Sequence, residues 1–209
     1  MSTNQLLSVI PRLETENYIL RGMTLADVDS MFVFMQDKET MQYITPNPVH
    51  AKEVLHNNIR TYLHNFTQQK EIPWVIIHKA DGDLIGQFRL HKLHMWHKKA
   101  EMGVVIRKDF QKKGVMTEIL GRILDFSFNS LDLNRIVGDI FAENQGSRKL
   151  LEKYGFKKEG VLRQTDFDGE IYHDTVVYSM LKPEFEAIRK VKQDLGYEKN
   201  NTESFSNKT

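Results

Sequence analysis

The chain has 209 residues, 40% of them hydrophobic and 27% charged, which suits one globular domain with a sizeable core. Its 29 basic and 28 acidic residues nearly cancel, so no global positive excess argues for nucleic acid, and the absence of cysteine excludes disulfides, thiolate metal sites and a cysteine nucleophile. No apolar run approaches the ~20 residues that cross a bilayer, and the start of the chain lacks the basic segment and apolar length of a secretory signal, so the expected location is cytoplasmic, with no membrane partner.

In chain order, Tyr18 to Gly22 reads as a short strand. Thr24-Leu-Ala-Asp27 has the form of an N-terminal capping box with Asp in place of Glu, and predicts a helix through about Asp37 that buries Met31, Phe34 and Met35. The Pro46-Asn47-Pro48 segment breaks the chain. Leu55, Ile59, Tyr62, Leu63 and Phe66 then recur at helical spacing and predict a second helix to about Gln69. Pro73 to Lys79 and Leu84 to Leu90 read as strands joined across the turn signal Asp81-Gly82. Lys99 to about Arg107 is the next strand. A helix after Gly114 carries Met116, Ile119, Leu120, Ile123 and Leu124 on one side. Arg135 to Phe141 is a strand, and Gln145 to Tyr154 is a short helix closed by Gly155. Phe156 to Phe167 and Ile171 to Leu181 form a last hairpin across Asp168-Gly169, Pro183 starts a final helix, and the polar residues 196–209 are predicted to be a disordered tail.

Strands outnumber helices, hairpins dominate, and one strand–loop–helix–strand unit lies in the middle. The expected architecture is a single α/β (α+β) domain over residues 1–195, with a mixed, mostly antiparallel sheet of about seven strands and helices on both faces. Neither the dinucleotide fingerprint nor the P-loop pattern occurs. The central unit is the most informative part. Val104-Val105-Ile106 is a strand, Gln111-Lys112-Lys113-Gly114 is a tight basic loop, and a helix begins at Val115. A strand that delivers free backbone N–H groups to a helix N-terminus makes an anion site, and the two lysines add charge, so a phosphate or pyrophosphate is the simplest ligand. A solvated basic turn would explain the lysines but not their placement between a strand and a helix.

The order of elements coincides with a series of local patterns. These are Ala100-Glu101-Met102-Gly103, Gln111-x-x-Gly114-Val115-Met116-Thr117, Leu133-Asn134-Arg135-Ile136, Glu143-Asn144-x-x-Ser147-x-x-Leu150-Leu151-Glu152-Lys153-x-Gly155-Phe156, Glu159-Gly160-x-Leu162-Arg163 and Asp174-x-x-x-Tyr178-Ser179. Each is weak alone. In joint order and spacing, over roughly residues 10 to 185, the chain resembles the GNAT acyltransferases, and within them the branch of the ribosomal-protein N-terminal acetyltransferases RimJ and RimL. The resemblance implies acetyl-CoA as co-substrate and no metal. It implies that pantetheine lies along the backbone of Val104, Val105 and Ile106, where two strands splay apart. The pyrophosphate would sit on the amides of Gln111, Lys112, Lys113, Gly114, Val115, Met116 and Thr117, with Asn144 and Ser147 at the thioester end.

Two departures stand out. Many relatives have glycine where this chain has Lys112, and a lysine suits the loop if its φ stays negative. Many have a tyrosine that protonates the leaving thiolate where this chain has Leu151. Tyr154 lies a turn further on, and Ser147 occupies the position proposed for that role in the RimL-like branch.

Acetyl transfer needs a neutral amine, a polarised carbonyl and a leaving thiolate. An α-amine, with a pKa near ~8, is already about a tenth neutral at pH 7, whereas a lysine amine, near ~10.4, is neutral to only about 0.04%. Glu101 is the candidate base, directly or through water, against the alternative of a strand residue in an ion pair. A backbone N–H near Val104 or Val105 would hold the oxyanion. Ser147 either donates to the thiolate or has a structural role, capping its helix or bonding to Asn144. His91, His94 and His97 would suggest a metal on a helix, but on a strand leaving into a turn they diverge and read as a hairpin tip. His173 reads as a strand histidine or a second base. The acceptor is a primary amine, either a ribosomal or other protein N-terminus or a small amine, attacking directly with no acyl-enzyme. Its specificity is expected between Tyr43 and Phe66 and in the last hairpin. A non-catalytic acyl-CoA-binding module is the rival reading, supported by Leu151. The exposed edge of the terminal hairpin is compatible with a homodimer.

Overall fold

A computed structural model describes residues 7–194 apart from positions 46 and 169. The expected tail from residue 196, the Gly169 half of the last turn and Pro46 lie outside the described residues. The strands are β1 (Leu13–Glu14), β2 (Tyr18–Gly22), β3 (Ile72–His78), β4 (Leu84–His94), β5 (Lys99–Ile106), β6 (Arg135–Phe141), β7 (Lys157–Phe167) and β8 (Tyr172–Leu181). The helices are α1 (Val28–Met35), α2 (Lys38–Met41), α3 (Lys52–Thr67), α4 (Val115–Asp125), α5 (Gln145–Lys153) and α6 (Lys182–Asp194). The eight strands form one sheet in the order β1-β2-β3-β4-β5-β6-β8-β7. The eighth is β1, two residues long and too short to carry a periodic signal.

The sheet is antiparallel except where β5 runs parallel to β6, the pair joined through α4. Helices cover both faces, as the patterning predicts. On one face α4 buries Val115, Ile119, Leu120, Ile123 and Leu124 with Trp74, Phe88, Ile136 and Tyr178, and Phe185 and Ile188 of α6 pack against the same cluster. On the other face α1 and α3 bury Met31, Phe34, Leu55 and Ile59 over Val75 and Val105. The predicted capping box forms: Asp27 Oδ2 accepts from the backbone N–H of Thr24 at 2.8 Å and from its hydroxyl at 3.0 Å. Asp27 is buried and ion-paired to Arg21 at 2.6 Å, which ties the entry of α1 to β2.

β4 runs to His94, four residues past the expected end at Leu90. Its register against β5 shifts between His91 and His94, where one extra residue bulges out. Lys92 sits in this bulge with φ 47, the left-handed region, and Leu93 turns inward to be buried. The following turn through Met95 and Trp96 is the hairpin tip expected there, with Trp96 87% exposed.

Candidate active site

The parallel pairing of β5 with β6 lasts three residues, Lys99 with Arg135, Ala100 with Ile136 and Glu101 with Val137, and then stops. From Met102 onward the two strands diverge into a wedge that opens toward the C-terminal end of β5. The hydrogen bonds on either side show which backbone groups face it. Lys98 O accepts from the N–H of Arg135 on the β6 side, whereas the N–H of Arg107 donates to Ile85 on the β4 side. Alternation along the strand therefore turns the N–H and C=O of Met102, Val104 and Ile106 to the open edge and commits those of Val105 to β4. Of the two positions expected to supply an oxyanion donor, Val104 has the required direction. The Ile106 carbonyl accepts from Gln111 Nε2 at 2.9 Å, which fastens the loop to the strand end.

The loop turns through residues 108–110 as a short 3-10 segment and enters α4 at Gly114, φ 84. The Gln111 N–H, expected among the cradle amides, is already spent on Lys108 O at 3.2 Å. Among the described residues, nothing accepts from the backbone N–H groups of residues 112–117. Six consecutive amides thus remain open at the N-terminus of an eleven-residue helix, a concave donor array suited to an anion such as a pyrophosphate. Lys112 and Lys113 are exposed beside it. The condition under which a lysine suits this loop, a negative φ, is not met: φ at Lys112 is 59, the left-handed conformation that glycine adopts without strain.

On the far arm of the wedge, Asn144 caps α5, its Oδ1 accepting from Ser147 N–H at 3.1 Å. Asn144 is the cap, and the half-buried Ser147 hydroxyl makes no hydrogen bond among the described residues. Leu151, at the tyrosine position, is buried against Gly138: a β-carbon there would stand 3.0 Å from Leu151 Cδ1 and 3.0 Å from Met102 Cε. The floor of the wedge is therefore apolar. The Tyr154 hydroxyl donates to the carbonyl of Thr117, joining α5 to the first turn of α4.

Glu101 ends the paired stretch and shares a face of β5 with Gly103 and Val105, the face covered by α1 and α3. It is ion-paired to Lys92 at 2.7 Å. Asp139, on the same face of β6 two residues beyond Val137, is missing from the sequence-based site, although a lone acid in the apolar run of β6 is a visible signal. Partial desolvation, together with the nearby negative charge of Glu101, holds the Asp139 carboxyl above the usual carboxylate range, although the residue is exposed. His91 lies opposite Glu101 with its ring over Gly103, and burial plus the Arg89 guanidinium push its imidazole below the ordinary range. Behind it, Arg89 pairs with the buried Glu71 at 2.7 Å and stacks over Tyr62 of α3 at 4.1 Å.

Further along this face, His173 stacks on Phe141 with ring centroids 5.5 Å apart and bonds Asp168 at 2.7 Å, which raises its pKa. A shallow pocket lined by Gln42, Phe141, Asp168, Glu170 and His173 lies here, between the α2 end and the last hairpin. His94, at the end of β4, and His97, in the turn, lie with tilted rings 4.2 Å apart, while His91 sits three residues earlier in the strand. The three do not converge, and no group of three metal-ligating side chains occurs among the described residues.

A splayed parallel pair, an open amide array at the following helix and a carboxylate at the point of divergence define an acyl-carrier cleft of the acetyltransferase type. The family model for the acetyltransferase (GNAT) domain matches residues 17–157, and the chain belongs to that family: it is an N-acetyltransferase that uses acetyl-CoA to modify an amine. It is 33% identical over 175 residues to the uncharacterized N-acetyltransferase YoaA of Bacillus subtilis, covering 84% of this chain and 99% of that one. The fold superposes on the spermidine N-acetyltransferase of Vibrio cholerae in complex with CoA and spermine with a TM-score of 0.74 at 25% identity, over 81% of this chain and 98% of that one. It also superposes on RimL, the ribosomal L7/L12 alpha-N-protein acetyltransferase in complex with coenzyme A, with a TM-score of 0.76 at 18% identity, over 82% and 98% of the two chains. No helix among the described residues is long and apolar enough to cross a membrane.

Proposed function

We propose that the enzyme acetylates a small primary amine that carries additional positive charge, of the polyamine class. The observation that carries this reading is the pair of carboxylates, Glu101 and Asp139, on the two arms of the wedge and on one face, where an amine would meet the thioester. The open edge at Met102, Val104 and Ile106 would hold the pantetheine, and the amides of residues 112–117 with Lys112 and Lys113 would hold the pyrophosphate. Val105 contributes from the core side, where its side chain packs under α1 and α3. The likeness to an enzyme whose complex contains spermine supports the same acceptor class.

In this mechanism Glu101 takes a proton from the incoming ammonium, directly or through one water. That step matters because a primary alkylamine is about 99.9% protonated near pH 7. The neutral nitrogen attacks the thioester carbonyl, whose developing negative charge is met by the Val104 N–H. Ser147, whose hydroxyl is unengaged among the described residues, donates to the departing thiolate, and Asn144 fixes its position by capping the same turn. Transfer is direct, without an acyl-enzyme.

Release of free thiol from acetyl-CoA, followed with spermidine, a neutral-chain monoamine and a peptide with a free N-terminus, tests the acceptor class. Turnover is expected with spermidine well above the monoamine. Turnover confined to the peptide would overturn the polyamine reading and favour a protein N-terminus. Binding of CoA without turnover on any acceptor would overturn the catalytic assignments.

A further inference from the structure

The amine closest to the proposed base belongs to the protein. Strand alternation alone would send Lys92 to the face opposite His91 and Glu101. The one-residue bulge in β4, with Lys92 at φ 47, instead folds it back so that Nζ lies 2.7 Å from Glu101 Oε2. A left-handed lysine costs about 1–2 kcal/mol in local conformation, and here that conformation delivers an alkylammonium to the mouth of the wedge. The charge is felt on both arms: Glu101 on β5 and Asp139 on β6 both favour the Lys92 ammonium. The side chain remains 67% exposed, so it is a tethered arm with room to move. A general base must lie within hydrogen-bond reach of the proton it removes, and Lys92 satisfies that distance.

Resting on the assignment of Glu101 to the acetyl end of the cleft, we propose that Lys92 is itself an acceptor, and that the enzyme acetylates its own Lys92 side chain from acetyl-CoA. The ammonium gives one proton to Glu101 or to a water held by it. Neutral Nζ attacks the thioester carbonyl, the N–C bond forms and the C–S bond breaks. The thiolate takes a proton from the Ser147 hydroxyl, which recovers one from solvent. Glu101 passes the first proton to water, takes the second amine proton as the intermediate collapses and passes that to water too, leaving Nε-acetyl-Lys92, free CoA and an ionised Glu101. The product has no charge, so Glu101 loses its ion-pair partner.

The full chain is incubated with acetyl-CoA alone and the acetylated lysines are quantified by peptide mass spectrometry, alongside Lys92→Arg and Glu101→Gln. Uncatalysed acetylation of exposed lysines such as Lys98 and Lys99 rises linearly with acetyl-CoA and serves as the internal standard. The expected result is that Lys92 acetylation saturates with acetyl-CoA, exceeds that of Lys98 and Lys99 at least tenfold, is independent of protein dilution, and falls to their level in Glu101→Gln. Excess spermidine should slow it by competition. Lys92 labelling that is linear in acetyl-CoA, or unchanged in Glu101→Gln, overturns the proposal. Thiol release with external amines is measured on the same samples. Turnover of those amines without Lys92 labelling rejects self-acetylation and leaves the proposed function standing, whereas loss of both rejects the site assignment.

Discussion

A β-carbon added to Gly86 would stand 2.4 Å from the carbonyl oxygen of Val105. That separation is far inside van der Waals contact, and the obstacle is backbone, which cannot rotate away. Gly86 therefore lets β4 approach β5 at the segment whose other edge lines the wedge. Gly86→Ala is expected to cost about 1–3 kcal/mol of stability, as overpacking does, and to raise the KM for acetyl-CoA. Denaturant unfolding and initial-rate kinetics check the two effects.

Glu101→Gln keeps the shape of the side chain and removes the base. The expected outcome is a fall in kcat of about 10²–10⁴-fold and a shift of the pH optimum upward, because the amine must then lose its proton to solvent. A pH–rate profile unchanged from the parent enzyme would remove Glu101 from this role.

Ser147 and Asn144 stand three residues apart and are expected to separate cleanly. Asn144→Ala removes the cap of α5 and should cost about 1 kcal/mol of stability. Ser147→Ala removes a hydroxyl without a partner among the described residues and should shift stability by less than about 0.5 kcal/mol. Its kcat should fall about 10–100-fold, the worth of one hydrogen bond to a charged group. Thermal unfolding and steady-state kinetics on the two variants make the comparison.

At Lys112, charge and backbone strain can be taken apart. Lys112→Ala and Lys112→Gly both remove the charge and should weaken acetyl-CoA binding alike. Only glycine relieves the left-handed φ of 59, so Lys112→Gly should be more stable than Lys112→Ala by about 1 kcal/mol. Equal stability of the two would show that the loop does not hold that conformation in solution.

Asp27 supplies a pH-dependent element. Burial pushes its carboxyl up, but the Arg21 guanidinium and the Thr24 backbone N–H and hydroxyl outweigh burial and hold it below the usual carboxylate range. A carboxylate depressed in the folded state contributes stability that is fully present above its unfolded value of about 3.9 and is lost as the pH falls through the lower folded value. Stability of the parent chain should therefore fall more steeply below about pH 4 than that of Asp27→Asn. The variant should be less stable at pH 7 by about 1–3 kcal/mol, the cost of weakening charge-assisted hydrogen bonds in a half-buried pair. Chemical denaturation across pH measures both.

Much of the framework is legible in the amino-acid sequence. The bounds of β2 and β6 and the apolar stripes of α3 and α4 follow from periodicity, because burial of one face imposes a period that the side chains must obey. The motif residues Arg135, Glu159 and Ser179 are structural. Glu159 accepts from Arg135 at 2.9 Å and from the Ser179 hydroxyl, binding β6, β7 and β8 to one another. The open amides are expected over Gln111 to Thr117, since a loop that enters a helix leaves its first donors unpaired, and all but that of Gln111 are open among the described residues.

What the sequence by itself determined is the local chemistry: which segments become strands and helices, where a helix start leaves amides free, and that a glutamate and a serine fall near the ends of the elements that flank the cleft. Only the tertiary structure decided what those groups meet. The bulge that flips Lys92 onto Glu101, the direction of the Val104 N–H and the placement of Asp139 on the same face as Glu101 depend on inter-strand register. Register is a property of two strands at once, and a shift of one residue sends every side chain to the other face, so no reading of either strand alone contains it.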